Sequence, residues 1–264
     1  MNTKRRRRSA SAPVALVTGA AHRIGREIAL ALARDGYDVA VHYGRSRAGA
    51  LATAADVRKT GRRACTIRRD LGAAGGVRSM LQQCAAELGE VCCVVNSASL
   101  FEYDSALDFD AARLARHIDV NVAAPVLLAR QLHARIADGG QGVVINLLDQ
   151  KLWNPNPDFL SYTLSKSALE SAIGLLARAL APKLRVVGVA PGITLPAPGQ
   201  SVPNFEQAST LTPLGHSSSP QDIAQAVVYL ARARAVTGTT LLVDGGQHLV
   251  PSARDVMFLQ AAQP

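Results

Sequence analysis

The sequence predicts a single-domain α/β protein, a doubly wound parallel sheet of about seven strands flanked by helices. Three observations predict it. Short apolar runs such as Val14–Val17 and Val143–Leu148 alternate along the chain with segments of helical periodicity, the pattern of strands covered on both faces by helices. A glycine-bearing turn, residues 18–25 with the sequence TGAAHRIG, follows the first apolar run and opens the first helix. Finally, neither an internal repeat nor a linker divides the 264 residues, a length that lets one large domain build a substantial core.

Taken in order, Val14–Thr18 reads as the first buried strand because it is apolar up to the turn, and Ile24–Arg34 reads as the helix after it. Asp38–His42 is the second strand, followed by a helix over 47–59. Ala64–Arg68 is the third strand, Val77–Leu88 a helix and Val91–Asn96 the fourth strand. Helical periodicity then runs unbroken from Asp110 to Ile136. The fifth strand, Val143–Leu148, stops at Asp149; beyond a Pro/Asn loop a helix carries Tyr162 and Lys166 and continues to Leu180. Leu184–Ala190 is the sixth strand. Residues 192–218 are rich in Pro, Ser and Thr without clear periodicity and are expected to form a long loop, of the kind that serves as a lid over a site at the strand ends. A helix over Pro220–Ala231 and a strand at Thr240–Val243 close the domain. The layout is thus Rossmann-type, with a basic arm at 1–12, a folded domain at 13–250 and a tail at 251–264.

Composition narrows the function classes. No apolar run approaches the ~18 residues of a membrane span, and the N-terminus lacks the apolar stretch of a signal peptide; a cytoplasmic protein without membrane contact is expected. The four cysteines, Cys65, Cys84, Cys92 and Cys93, have no metal-ligand spacing and read as buried free thiols. The net charge of +9 owes five positive charges to Lys4–Arg8. That run reads as a solvated arm rather than a specific nucleic-acid surface.

Within the turn, Gly19 and Gly25 let the backbone turn tightly and the helix approach the sheet, so that N–H groups at the helix start, around Ile24, face a pyrophosphate. Arg23 stands where such turns often carry glycine; it puts a guanidinium at the mouth of the site, able to meet phosphate and a polar substrate. The end of the second strand reads VHYGRSRAG over 41–49. A carboxylate there would hold the ribose hydroxyl of NAD, whereas a cationic, hydroxyl-bearing loop suits the 2′-phosphate of NADP. His42, Tyr43, Arg45 and Ser46 therefore predict NADPH, and Asp70-Leu71 after the third strand is a candidate frame for the adenine.

Tyr162 and Lys166 are four apart on one helix face. A lone Tyr-x-x-x-Lys is most often a helix surface; here it follows a buried strand in a chain with a phosphate-binding turn. A nearby ammonium lowers a phenol's pKa and makes Tyr162 a proton donor, while the charge of Asp149 opposes that effect. Asp149 itself sits at a strand's C-terminal end, where open α/β sheets place their chemistry.

With these pieces assembled, residues 13–250 resemble the short-chain dehydrogenase/reductase family. The matching elements are TGAAHRIG, the run Asn96-Ser97-Ala98-Ser99, Asn121, Tyr162 with Lys166, Pro191-Gly192 and the VDGG at 243–246. Within that family the chain looks most like the pteridine and dihydromonapterin reductases. Arg23 replaces the middle glycine, HYGRS resembles their NADP loop, and Asp149 lies thirteen residues before Tyr162 where commoner members have Ser. The resemblance implies Asp149, Tyr162, Lys166 and Asn121 as catalytic residues. It adds Asn96, Ser97, Ala98, Pro191 and Gly192 to the cofactor site, and Ser99 and Phe101, with Arg23, to the substrate site, Phe101 stacking on the pterin.

A carboxylate suits an electron-poor ring nitrogen that takes up a proton better than it suits a developing alkoxide. The expected function is NADPH-dependent reduction of a pterin or folate. The alternatives are a carbonyl reductase of the same family and, more distantly, a non-catalytic NADP-binding regulator. A homotetramer or dimer built on the helices around 121–136 and 162–180 is expected, and Arg254 in the tail reads as a surface arginine.

Overall fold

The structure is a computed structural model that describes residues 12–73, 75–197 and 199–258. The run Lys4–Arg8 and residues 259–264 lie outside the described residues. Seven strands follow one another as β1 (Val14–Val17), β2 (Asp38–Tyr43), β3 (Ala64–Arg68), β4 (Val91–Asn96), β5 (Gly142–Leu147), β6 (Leu184–Pro191) and β7 (Thr240–Val243). They form one parallel sheet in the order β3-β2-β1-β4-β5-β6-β7. The order reverses between β1 and β4, and a crevice at such a switch point is where doubly wound sheets hold ligands.

The helices are α1 (Arg23–Arg34), α2 (Arg47–Lys59), α3 (Met80–Leu88), α4 (Ala111–Ile118), α5 (Ala124–Arg135), α6 (Leu160–Ala179), α7 (Val202–Thr210) and α8 (Pro220–Arg232). Two apolar layers form the core. One packs residues of α1, α2 and α8, such as Ile28, Val57 and Val227, against the sheet. The other packs residues of α3, α5 and α6, such as Leu81, Leu128 and Ile173, on the opposite face. β1, β2 and β5 are buried throughout because both faces are covered, which is why the inner strands read as apolar runs, whereas the edge strands β3 and β7 are only partly buried. All four cysteines are free; Cys65, Cys84 and Cys93 are buried and Cys92 half-buried. Among the described residues no helix is long and apolar enough to cross a membrane.

Three features depart from the sequence expectation. The helix expected over 110–136 contains a π-helical turn, Asp119–Ala123, between α4 and α5. Pro125 in the first turn of α5 has no N–H to give to the carbonyl four residues back, that of Asn121, and the helix widens at that point. The segment 192–218 is not a bare loop, because it holds α7, begun by Ser201, whose hydroxyl accepts from Asn204 N, and by a proline in the first turn. The helix expected from Val77 starts only at Met80.

Candidate active site

The turn after β1 is shaped by close approach. Gly19 has φ +66°, and a Cβ there would stand 2.9 Å from Ala98 Cα; a Cβ on Gly25 would stand 2.4 Å from the Gly19 carbonyl oxygen. Only glycine satisfies both positions. Across the switch point, Thr18 Oγ1 accepts the backbone N–H groups of Ser97 and Ala98, each at 3.0 Å. No side chain caps the first turn of α1, so its amides face the cavity in the manner of an anion site. Arg23 adopts φ +53°, a left-handed conformation that explains why glycine is common at this place. Its Nη2 donates to the Pro196 carbonyl at 3.0 Å, joining the turn to the segment before α7.

These residues line a cavity of about 820 Å³, towards the upper end of the ~300–1,000 Å³ usual for small-molecule sites. Of the expected cofactor residues, Gly19, Arg23, Ile24, Gly25, Tyr43, Arg45, Ser46, Ser97, Ala98, Tyr162, Lys166, Pro191 and Gly192 are on its wall. The Arg45 guanidinium lines the cavity with no hydrogen-bond or ion-pair partner among the described residues, and only its backbone carbonyl is engaged, by Arg47 N. Ser46 Oγ lies 2.5 Å from His22 Nε2, a contact that brings the second-strand loop against the turn.

Four expected contacts are placed elsewhere. His42 is buried behind the turn: Gly19 N–H donates to its Nδ1 at 3.2 Å, and its Nε2 lies 3.1 Å from the Arg69 carbonyl oxygen. That pair of partners requires the neutral ring with hydrogen on Nε2, and burial holds its pKa down to about 4. His42 thus braces the turn instead of lining the cavity. Asp70 and Leu71 are off the wall, with Asp70 Oδ1 accepting from Gly72 N at 3.0 Å within its own turn. Asn96 is buried at the end of β4, its Nδ2 donating to Asn146 Oδ1 at 2.8 Å.

At the other end of the cavity the strand end of β5 meets α6. Tyr162 Oη donates to Asp149 Oδ2 at 2.9 Å, and Lys151 N donates to Asp149 Oδ1 at 2.9 Å. Burial raises the Asp149 carboxyl above the usual range, with the Lys151 N–H and the Tyr162 hydroxyl pulling the other way and the Asp255 charge adding to the rise. Burial and then the Asp149 charge push the Tyr162 phenol well above its ordinary value. Lys166 Nζ donates to the Leu147 carbonyl at 2.7 Å and lies 5.7 Å from the Tyr162 ring centroid; burial lowers its pKa to about 8. The expected acidification of Tyr162 by Lys166 is therefore outweighed. Burial and the nearby carboxyl hold the phenol protonated.

Phe101 lines the same end, stacked on Phe159 with ring centroids 4.3 Å apart and set edge-on to Tyr162 at 4.7 Å. Ser99 is on the wall, its Oγ 3.3 Å from Asn121 Oδ1. Asn121 is not on the wall. It sits in the π-turn, buried, where its side chain accepts from Leu100 N at 2.8 Å and donates to Leu100 O at 3.0 Å and Ser165 Oγ at 2.9 Å. It ties the segment after β4 to α6 and so fixes Phe101 relative to Tyr162.

The sequence reading missed the chain after Val250. Arg254 is a surface arginine as expected, but it is paired: its Nε and Nη2 form a fork on the Asp158 carboxylate at 2.8–3.1 Å. Asp255, Val256 and Met257 then line the cavity beside Asp149. A signal existed in the order Arg-Asp followed by apolar residues, but nothing local says that a tail folds back. Gln150, Thr194 and Gln247 were likewise unforeseen members of the wall.

The family profile described as enoyl-(acyl carrier protein) reductase matches residues 19–248. The chain belongs to the short-chain dehydrogenase/reductase family. This family member is similar to the FolM alternative dihydrofolate reductase 1 of Brucella suis, solved in complex with NADP. The two share 40% identity and a TM-score of 0.87 over 91% of this chain and 96% of that one. It is 31% identical to pteridine reductase 1 of Leishmania tarentolae over 91% of this chain and 98% of the relative. It also resembles the angucycline C-6 ketoreductase LanV solved with bound NADP, at 31% identity and a TM-score of 0.83 over 90% of this chain and 96% of that one.

Proposed function

We propose that this short-chain dehydrogenase/reductase reduces a dihydropterin or dihydrofolate at a ring C=N bond with NADPH. The observation that carries the reading is the 2.9 Å contact of Tyr162 Oη with Asp149 Oδ2 beside Phe101. The glycine cradle that any Cβ would fill, the uncapped α1 turn and the unpaired Arg45 fit a dinucleotide carrying a 2′-phosphate. The NADP complexes of two similar proteins support the same choice. Bound there, NADPH supplies a hydride to the ring carbon.

The residues of this chain handle the proton and the orientation. Phe101 offers its face to a flat heterocycle. Tyr162 gives its phenolic proton to the ring nitrogen as the C=N bond is reduced. Asp149, whose carboxyl is biased by burial towards the protonated form, returns a proton to the phenol and is itself reprotonated from solvent. Lys166, held by Leu147, places positive charge behind the phenol as negative charge develops on its oxygen. A carboxyl group in place of a hydroxyl suits this chemistry, because it can hold and return the proton that the ring nitrogen takes up.

The reading is tested by following NADPH oxidation with dihydrobiopterin, dihydromonapterin, dihydrofolate and a panel of ketones. Turnover confined to the pterins and folate supports it. The likeness to LanV favours one second reading, reduction of a ketone, and turnover confined to the ketones would establish that instead. A homodimer or homotetramer is part of the proposal, since α5 and α6 leave Leu127, Leu164 and Leu175 exposed.

A further inference from the structure

The C-terminal segment 251–258 lies across the substrate end as a strap, and its attachments are specific. Arg254 grips Asp158 through the charge-assisted fork already described, and Asp255 N donates to the same carboxylate at 2.7 Å. Phe258 packs edge-on against Tyr103 at 5.4 Å and under the Arg254 guanidinium at 5.1 Å. Asn154 Nδ2, from the loop before α6, donates to the Val250 carbonyl at 2.7 Å. Together these contacts place Asp255 at the cavity wall, where its Oδ2 is 3.5 Å from the buried Lys151 ammonium. Lys151 in turn donates to the Asp158 carbonyl at 2.5 Å and carries Asp149 on its own backbone N–H.

Lys151 thus joins two carboxyl groups, Asp149 on its backbone N–H and Asp255 at 3.5 Å from its ammonium. The charged and titratable groups around Asp149 are few: Tyr162 and Lys166 from α6, Lys151 beside it and Asp255 opposite. Asp158 and Arg254 stand behind Lys151. A carboxylate near a second one favours the protonated form of its neighbour, and an ammonium favours the ionised form.

We propose that Asp255 is a positioning residue for proton delivery, carried into the active site by the strap and acting on Asp149 across the Lys151 ammonium. This deepens the proposed function, because the Asp149 carboxyl is the group that returns a proton to Tyr162 in that reading. The balance is simple. The Tyr162 O–H bond breaks as the N–H bond of the substrate forms, the Asp149 O–H bond breaks as the phenol is restored, and solvent reprotonates Asp149. Asp255 keeps its own proton count unchanged throughout. Burial and the Asp255 charge act on Asp149 in the same direction, which agrees with this role.

The test uses the full chain loaded with NADP⁺ and isotope-labelled at the aspartate carboxyl carbons, with the Asp149 signal assigned by its loss in D149N. In D255N the Asp149 carboxyl titrates at lower pH than in the parent. In R254Q, which unpins the strap while leaving Asp255 charged, it moves the same way. In K151Q, which removes the opposing cation, it moves to higher pH; should that variant not fold, D255N and R254Q decide the matter. A strap with a purely structural role would not move this titration. No substrate enters the measurement, so it stands apart from the substrate reading. With a dihydropterin, the alkaline limb of kcat/KM shifts to lower pH in D255N. An Asp149 midpoint unchanged in D255N overturns the proposal. A shifted midpoint without any dihydropterin turnover upholds the proposal and overturns the substrate reading.

Discussion

Tyr162 gives its hydrogen bond to Asp149 Oδ2, 2.9 Å away, while Lys166 one helical turn on gives its own to the Leu147 carbonyl. The phenol is thereby coupled to a carboxyl group and only flanked by the ammonium. A serine at the same place would offer a neutral hydroxyl able to donate to a substrate oxygen. Asp149 provides an acceptor that can also store a proton.

Asp149→Ser is expected to lower kcat on a dihydropterin by about 10²–10⁴-fold, the range for a positioned acid–base group. The dissociation constant for NADPH should be unchanged, because the phosphate turn lies at the other end of the cavity. Steady-state kinetics beside a fluorescence titration separates the two effects. A loss within about twofold, far short of the general acid–base range, would remove the relay from the mechanism.

Arg45→Ala should weaken NADPH binding by tenfold or more, since one charge-assisted pair contributes roughly 1.5–3 kcal/mol. NADH binding should be unaffected, and the preference of the parent for NADPH should collapse. Equal losses for both cofactors in the titration would mean that Arg45 meets no 2′-phosphate.

Lys166 is buried with its pKa lowered from 10.5 to about 8. Between those values the unfolded chain holds the proton and the folded chain does not, so folding is favoured as pH rises through the window. The parent should therefore gain stability relative to Lys166→Met between about pH 8 and pH 10.5, by at most about 1.4 kcal/mol per pH unit. Urea unfolding of both proteins across that window measures the difference. Parallel curves would contradict a buried ammonium held only by the Leu147 carbonyl, without an ion-pair partner.

Leu164 and Leu175 lie three turns apart on α6 and are 44% and 70% exposed, and Leu127 on α5 is 39% exposed. Apolar area of this kind on neighbouring helices is expected to be covered by a second copy of the chain. Light scattering at micromolar concentration should give a dimer or tetramer mass, and the double variant L164E/L175E should shift it towards the monomer. A monomeric parent would leave those leucines unexplained.

Much of this architecture was legible in the chain because its strands are buried on both faces. β3, β4 and β7 begin and end where the sequence reading places them, and the turn after β1 is set by glycines that no other residue can replace. What stayed hidden depends on contacts between distant segments. His42 reads as a polar residue in a cofactor loop, and only the sheet order shows that its ring faces the Gly19 amide. Asn121 sits in a stretch of unbroken helical periodicity, and the widening at Pro125 has no counterpart in the hydrophobic pattern. α7 is rich in weak helix formers, Val, Asn, Ser and Thr, and owes its start to the Ser201 cap. The strap is held by Asp158, ninety-six residues before Arg254, a pairing that no local periodicity encodes.

The left-handed backbone at Arg23 sets stability and activity in competition at a single position. Glycine there would relax φ +53° and release about 1 kcal/mol of strain, yet it would delete the guanidinium that reaches Pro196 and faces the cavity. Arg23→Gly should melt no lower than the parent, and at the same time turn over substrate more slowly. A library selected for heat resistance alone would accumulate glycine at this turn and lose the enzyme while improving the fold. Directed evolution of this scaffold must hold residue 23 fixed or screen for turnover at every round.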